Sequence, residues 1–400
     1  MYDIILVSLP NMDKDKPAPA LGFLKSFIEQ YDYKVKCIDG NQIEDIDLIH
    51  LNISKYKSKY IGISVFSYEQ EQLALQIGSE YPNVVYGGSG VHSDWPQGDY
   101  IVGEGEYALL EYLKGNKSYP GINGLDPIQI KDLNSLPPPD YVDMHKEHNY
   151  ESAVISGSRG CVRNCTFCDV ATIWPNYYWW DGKTIADNMH ILADQGFDRI
   201  SFSDSLVNGS MKHFRTLCYE LSKRERKIKW NGQFIIRNKR SFDDNDFDNL
   251  ANSGCTGLTL GIESGSESVR HHMKKKFSND DLDYFIHNLG KRKIKMKFLL
   301  IAGYPTETTD DFKQTIDMLY KFKKYSNITE VSPHMMLIDK NTPLDYNHRD
   351  LYDNYGFHWI SNTSDYDIRY ERFKEIFEVG NACGYGFKKH ALDKIAKFAV

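Results

Sequence analysis

The sequence predicts an α/β protein: an N-terminal doubly wound (Rossmann-like) domain followed by a partial (β/α)6 barrel of the TIM type and a short C-terminal extension. Three observations carry this reading. Apolar runs of five to seven residues alternate with amphipathic helical stretches in two separate series, the pattern of a parallel sheet covered on both faces. Between the series stand three consecutive prolines, Pro137 to Pro139, which exclude helix and central strand. The chain has 400 residues, more than one hydrophobic core usually serves.

In order, the first series runs strand Asp3–Ser8, helix Ala20–Tyr31, strand Lys34–Asp39, a second helix, strand Tyr60–Phe66, helix Glu69–Tyr81, strand Asn83–Gly88 and strand Tyr100–Gly105. This places a doubly wound domain over residues 1–125, with its ligand crevice beyond the carboxyl ends of the strands. A proline-rich linker is expected over 126–150. The second series, residues 151–345, repeats strand then helix. Its strands are Ala153–Ser158, Arg199–Asp204, Ile228–Ile236, Gly257–Ser264, Lys295–Gly303 and Glu330–Ile338, with helices such as Ile185–Gly196, His213–Glu225 and Thr309–Lys324 between them. Ser278 followed by Asp281 marks a further helix start with a serine cap and an acid three residues on. Six units fall short of the eight that close a barrel, so one side is expected open and the chemistry at the carboxyl ends of the strands. Residues 346–400 form the extension.

Composition narrows the setting. Apolar residues make up 41% of the chain, enough for packed interiors. The opening apolar run is too short to span a bilayer and lacks the basic start of a signal peptide, so a soluble, cytoplasmic protein without a membrane span is expected. The formal net charge of -7 argues against a general nucleic-acid binder and favours a small molecule or peptide as substrate. The basic runs Lys223–Lys229 and Lys291–Lys297 read as solvated helix ends.

Three of the seven cysteines, Cys161, Cys165 and Cys168, fall within eight residues after the first strand of the second series. In a reducing compartment such a cluster is a metal or redox site rather than a disulfide framework. A 4Fe-4S cluster normally takes four thiolates. Three leave one iron open, as a catalytic zinc keeps a position free. The alternative is a zinc knuckle, completed by a distant ligand such as His145, in a zinc-stabilised interaction module. Cys37, Cys218 and Cys255 sit in strand or helix patterns and read as inert buried thiols. Cys383 reads as structural, with a hydrogen donor to a substrate radical as the alternative.

The spacing Cx3Cx2C with an aromatic, Phe167, before the third cysteine resembles the signature of the radical SAM superfamily. Later stretches fall in the order that family would have. Phe202–Ser210 looks like the end of its second strand, where Ser203 and Asp204 would meet the amino group of S-adenosylmethionine. Gly261–Val269 resembles its fourth-strand motif, with Glu263 and Ser264 near the cofactor's ribose and carboxylate. Ile301–Thr308 is similar to its GxPxET motif, where Gly303 would let the backbone approach adenine, and Asn341–Leu344 resembles the turn after the sixth strand. Each stretch alone has a plainer reading: a Gly/Ser turn, or a strand before a capped helix. The aromatic run Trp174–Trp180 reads first as cover for the cluster and packing of the barrel rim, with a substrate pocket as the alternative.

The resemblance implies a 4Fe-4S cluster on the three cysteines and S-adenosylmethionine on the open iron. An electron donor of flavodoxin or ferredoxin type would then drive reductive cleavage, giving a radical that takes hydrogen from an unactivated carbon. In the first domain, Tyr86–Trp95 and Ile101–Leu113 resemble the cobalamin-binding domain preceding the barrel in one branch of the superfamily. Cobalamin is therefore a candidate cofactor and C-methyl transfer a candidate outcome. The wider cobalamin-domain family supplies an axial histidine from a DxHxxG motif after the first strand, and here the loop Pro10–Gly22 has none. The one Asp-x-His, Asp143 to His145, lies in the linker with His148 where the motif needs glycine. His92 is the nearest candidate to face the crevice. Without cobalamin the outcome would be a rearrangement or another C–H functionalisation, and the first domain would serve packing or substrate capture. A methylthiotransferase of the superfamily would carry three further cysteines in the N-terminal domain, where this chain has Cys37 alone.

Overall fold

The computed structural model describes residues 1–11, 14–43 and 45–387, so part of the loop after the first strand and residues 388–400 of the extension lie outside it. The chain forms two compact units, one of residues 1–156 and 178–201, the other of residues 157–177 and 202–400.

The first unit opens with β1 (Tyr2–Ser8), α1 (Pro19–Glu29), β2 (Val35–Ile38), α2 (Ile46–Ser54), β3 (Ser58–Ser64), α3 (Glu71–Gly78), β4 (Val84–Gly87), β5 (Asp99–Ile101) and α4 (Gly105–Leu113). The strands pair in the order β2-β1-β3-β4-β5, all parallel. Their order reverses between β1 and β3, the switch point where such sheets bind ligands. Ile4, Ile5 and Val7 of β1 are fully buried, which is why the strand reads as an unbroken apolar run. Pro137 to Pro139 lie outside helix and strand, and a short helix, α5 (Val142–His148), follows within the expected linker.

Asp39, directly after β2, is completely buried. Its carboxylate accepts hydrogen bonds from Ser8 Oγ at 2.7 Å, Tyr150 OH at 2.8 Å, the Ala18 N–H at 2.9 Å and the Asn41 N–H at 3.1 Å. One side chain thereby satisfies the end of β1, the loop behind it and residue 150. Asp39→Ala would strand these donors, and we expect the first unfolding transition in urea, followed by circular dichroism, to lose at least about 2 kcal/mol. An unchanged midpoint would show that the hub is dispensable.

The remaining elements are β6 (Ala153–Ile155), β7 (Ser158–Arg159), α6 (Val170–Ile173), β8 (Tyr178–Trp179), α7 (Gly182–Asp194), β9 (Arg199–Phe202), α8 (Met211–Lys223), β10 (Lys229–Phe234), α9 (Asp244–Asn252), β11 (Cys255–Glu263), α10 (Glu267–His272), α11 (Asn279–Lys291), β12 (Lys295–Ala302), α12 (Thr309–Phe322), β13 (Ile328–Met335), α13 (Pro343–Asn347) and α14 (Tyr366–Ala382). Six strands form a sheet in the order β13-β12-β11-β10-β9-β6. The edge strands β6 and β13 do not pair with each other, so the barrel is open as expected. Helices α9, α11 and α12 each begin with a complete capping box, Asp243 with Asp246, Ser278 with Asp281 and Thr308 with Asp311. Each satisfies orphan N–H groups at a helix start and fixes where a strand must end.

Burial alternates along the strands of the second unit. Trp230, Gly232 and Phe234 of β10, Leu258, Leu260 and Ile262 of β11, and Met296, Phe298 and Leu300 of β12 are buried. The alternate positions Asn231, Gln233, Thr259, Lys297 and Glu330 remain exposed or half-exposed, and Lys297 pairs with Glu330 at 2.6 Å. A closed barrel fills its inner face with apolar layers. This face is polar and accessible.

Candidate active site

The cysteine loop is built around Thr166, which is completely buried between Cys165 and Phe167. Its N–H donates to the Met273 carbonyl at 3.3 Å, its carbonyl accepts from the Leu344 N–H at 2.6 Å, and its hydroxyl shares a 2.8 Å hydrogen bond with Tyr304 OH. Three distant segments therefore converge on one residue: the turn after α10, the GxPxET stretch and the turn after the sixth barrel strand. Beneath the loop lies a core of Val269, Met273, Ile301, Tyr304, Leu344, Tyr352 and Trp359, with Phe167 packed against it. Tyr352 and Trp359 belong to the C-terminal extension, which thus completes the support of the cysteine loop.

Cys165 is buried, and Cys161 and Cys168 are half-buried. Burial raises the pKa of all three thiols, each also feels the charge of another of the three, and the Lys275 ammonium opposes the rise at each. Lys275 is the residue that sequence reasoning missed. It hides in the run "MKKKF", which reads as surface, yet its side chain is only 10% exposed. Its ammonium lies 2.7 Å from Glu263 Oε1, 3.2 Å from the Gly261 carbonyl and 5.6 Å from the centre of the Phe167 ring, within cation–π range. Burial lowers its pKa, but Glu263, Cys165 and Cys168 more than restore it, so it stays charged. Cys161, Cys165, Cys168, Phe167 and Glu263 are thereby gathered around one buried cation.

Glu263 ends β11 with φ of 67°, a left-handed conformation that a non-glycine residue adopts at a cost of about 1–3 kcal/mol. The strand register also shifts between Gly261 and Glu263. Such distortion at a strand end turns a side chain out of the ladder and into the site.

The other expected residues occupy supporting positions. Asp204 is buried; it accepts from the Gly157 N–H at 2.8 Å and from Ser158 Oγ at 2.5 Å, and burial pushes its pKa up to about 6. It braces the segment leading into the cysteines. Ser203 beside it is exposed. Ser264 is completely buried, with its hydroxyl bonded to Thr315 Oγ1 at 3.3 Å and to the Ser266 N–H at 3.1 Å, and its carbonyl held by Arg270 at 2.7 Å. Gly303 has φ of 82°, and a Cβ there would lie 2.2 Å from Arg369 Cγ, so glycine is required twice over. Its N–H donates to Glu307 at 2.8 Å, and Glu307 is paired with Arg372 of α14 at 3.0 Å. The extension thus clamps this motif as well.

A single zinc ion needs thiolates converging at about 2.3 Å from one point. No three His, Cys, Asp or Glu side chains among the described residues are so placed. His145, the candidate fourth ligand, instead packs its ring 4.2 Å from that of Phe197. A 4Fe-4S cluster binds each thiolate to a different iron, a role for which the three cysteines of this loop are the candidates. Cys37, Cys218 and Cys255 are buried, with pKa values raised by that burial. Cys383 sits at the end of α14 and feels the charge of Lys323, which follows α12 and so lies away from the carboxyl ends of the strands.

A profile of the Radical SAM superfamily matches residues 155–319, the stretch holding the three cysteines, Asp204, Glu263 and Gly303. Residues 155–319 thus form a radical SAM domain. The chain is an enzyme of that class, with a 4Fe-4S cluster and S-adenosylmethionine as cofactors. A tRNA-2-methylthio-N(6)-dimethylallyladenosine synthase of Hydrogenobaculum sp. is 24% identical over 90% of this chain and 84% of its own. Among solved structures, the cobalamin-dependent S-adenosylmethionine radical enzyme OxsB with aqua-cobalamin bound aligns with a TM-score of 0.74 at 17% identity, over 93% of this chain and 66% of its own. The radical S-adenosylmethionine methyltransferase TsrM from Kitasatospora setae, with cobalamin and a [4Fe-4S] cluster bound, aligns with a TM-score of 0.68 at 17% identity, over 86% of this chain and 74% of its own. At these identities the likeness is one of fold, and it extends beyond the barrel into the first unit.

Two predictions test the site. Cys161→Ala, Cys165→Ala and Cys168→Ala should each abolish the brown iron–sulfur absorbance of anaerobically reconstituted protein, because two thiolates cannot hold four irons against solvent. Full iron content in any of them would refute the ligand assignment. Glu263→Ala should keep the cluster but weaken S-adenosylmethionine binding by about 1–3 kcal/mol, roughly five- to 150-fold in Kd by equilibrium dialysis. Unchanged affinity would remove Glu263 from the cofactor site.

Proposed function

We propose that this chain is a cobalamin-dependent radical SAM C-methyltransferase acting on an unactivated carbon of a small molecule or peptide. The observation that carries the reading is the extent of the fold likeness: both cobalamin-bound structures align over most of the chain, including the first unit. That unit's own surface supports it. At the carboxyl end of β3, Phe66 and Tyr68 are 65% and 72% exposed. Beside them Gly88 has φ of 113°, and Ser89 Oγ donates to the Phe66 carbonyl at 2.7 Å. Exposed aromatics over a glycine-rich turn, next to the switch point, offer a flat apolar ligand a face to stack on. His92 is held by Glu71 at 3.3 Å and lies against Tyr68 and Trp95, so it has protein partners already.

In the barrel, Cys161, Cys165 and Cys168 would hold the cluster, leaving one iron for S-adenosylmethionine. When bound, that pair supplies one-electron cleavage of the sulfonium to methionine and a 5′-deoxyadenosyl radical. We assign Lys275 to the cofactor's carboxylate, with Glu263 positioning it. Asp204 keeps spare lone pairs on both oxygens and Ser203 is exposed beside it, so both stay assigned to the amino group. Ser264 and Gly303 would shape the pocket through backbone. The reductant we propose is of flavodoxin or ferredoxin type. No helix among the described residues is long and apolar enough to cross a membrane, and we place the protein in the cytoplasm.

The deciding experiment is binding of hydroxocobalamin to the reconstituted full-length protein, read optically, together with transfer of a labelled methyl group from S-adenosylmethionine to the bound cobalamin. Phe66→Asp should weaken binding about tenfold or more, since it places a charge against the ligand face, whereas His92→Ala should retain binding. Absence of binding to the wild-type protein would turn the assignment to a cobalamin-independent C–H functionalisation.

A further inference from the structure

Two arginines beside the cysteine loop have no acid to pair with. Arg163 lies between Cys161 and Cys165, and its backbone N–H points at the Cys161 sulfur at 3.4 Å. Arg237 stands just beyond the carboxyl end of β10, where its Nη2 donates to the carbonyls of Asn208 and Gly209, both at 2.6 Å. The Nε of each guanidinium is buried without a hydrogen-bond partner, and among the described residues neither arginine has a carboxylate within ion-pair distance. Tyr177 lies against Gly209, whose carbonyl Arg237 holds. A Cβ on Gly209 would lie 2.3 Å from the Tyr177 hydroxyl, and the phenol is bonded to Ser158 and feels the charges of Asp204 and Cys161. Burial lowers the pKa of Arg237, and the charge of Arg163 lowers it further.

Half-buried like charges without a counter-ion are unfavourable in the free protein. Planar forks with unused donors suit one kind of ligand, an oxyanion bound by two guanidiniums. The cofactor's carboxylate already has a cation in Lys275, which sits with Glu263 and Phe167 beside all three thiols, so the arginines are surplus to it. Arg237 also follows, by four residues, Gln233 of β10, the strand whose Asn231 and Gln233 line the accessible polar face.

We propose that Arg163 and Arg237 together bind a carboxylate or phosphate group of an anionic small-molecule substrate, next to the cysteine loop at the end of β10. This rests on the radical SAM reading and adds the substrate's chemical class to it.

The test uses the reconstituted full-length enzyme, titrated calorimetrically with inorganic phosphate and, separately, with acetate; the tighter of the two names the group. Arg163→Gln and Arg237→Gln should each weaken the tighter anion about tenfold or more, and Arg163→Lys and Arg237→Lys should recover part of it, since charge is kept while the fork is lost. S-adenosylmethionine affinity should change less than about threefold in all four variants. No binding of either anion to the wild-type enzyme, or equal binding in both glutamine variants, overturns the proposal. So does displacement of the anion by S-adenosylmethionine, which would make the pair part of the cofactor site. Wild-type protein that holds no cluster and does not cleave S-adenosylmethionine would fail one step earlier, at the function itself.

Discussion

The buried ammonium of Lys275 is the interaction on which the rest of the site depends. The proposed cluster site would gather negative charge: three thiolates, the Glu263 carboxylate and, under that proposal, the carboxylate of S-adenosylmethionine. Burial opposes the three thiolates, and each feels another of the three. One desolvated cation between Glu263 and the cysteines offsets part of that charge, and in a low-dielectric setting it does so far more strongly than a surface lysine would. The strain at Glu263 follows from the same requirement. A carboxylate on the regular pleat of β11 would stand straight out from one face of the sheet; the left-handed backbone and the shifted register re-aim it, and it meets Lys275. Removing either partner would leave an uncompensated buried charge, which typically costs about 3–5 kcal/mol.

Geometry is fixed by a second device. Thr166 spends its N–H, carbonyl and hydroxyl on three separate segments, so the cysteine loop cannot shift without breaking contacts to Met273, Leu344 and Tyr304 together. The extension adds the outer layer: Trp359 and Tyr352 from below, and Arg369 and Arg372 against Gly303 and Glu307. Residues far down the chain therefore hold these strand ends, and the described part of the extension acts as part of the barrel rather than an appendage to it.

This division explains what could be read from sequence. The capping box at Ser278 and Asp281, the apolar strands and the spacing of Cys161, Cys165 and Cys168 are local signals, set by residues within a few positions of one another. The basic run Lys291–Lys297 reads as a solvated helix end only in part: Lys291 and Lys293 are exposed, but the Arg292 side chain is 9% exposed and reaches Asp244 at 3.0 Å and Asp248 at 2.7 Å, and Lys297 lies in β12 paired with Glu330. Lys275 resembles those surface lysines in every local respect; its burial depends on β11 and the cysteine loop meeting around it. Thr166 likewise looks like a spacer between two ligands. For Ser264, which a motif placed near the cofactor, folding spends the hydroxyl on Thr315 and Ser266 and leaves the backbone for any such contact. The short helix α5 went unseen because the prolines before it masked the start of a new element.

The polar face of the sheet bears on what such a site can accept. In a closed barrel the inner side chains have only one another as partners, so apolar residues fill that space. Asn231, Gln233 and the Lys297–Glu330 pair avoid that fate because the sheet remains open, with water able to satisfy them. A substrate entering this face must replace that water with hydrogen bonds of its own, since a buried amide or ion left unpaired costs more than an apolar contact returns. An apolar substrate would strand the Gln233 amide, whereas a polar one would match it. The same rule that leaves Arg163 and Arg237 awaiting a counter-ion thus selects, at the other polar positions of the sheet, for a ligand rich in donors and acceptors.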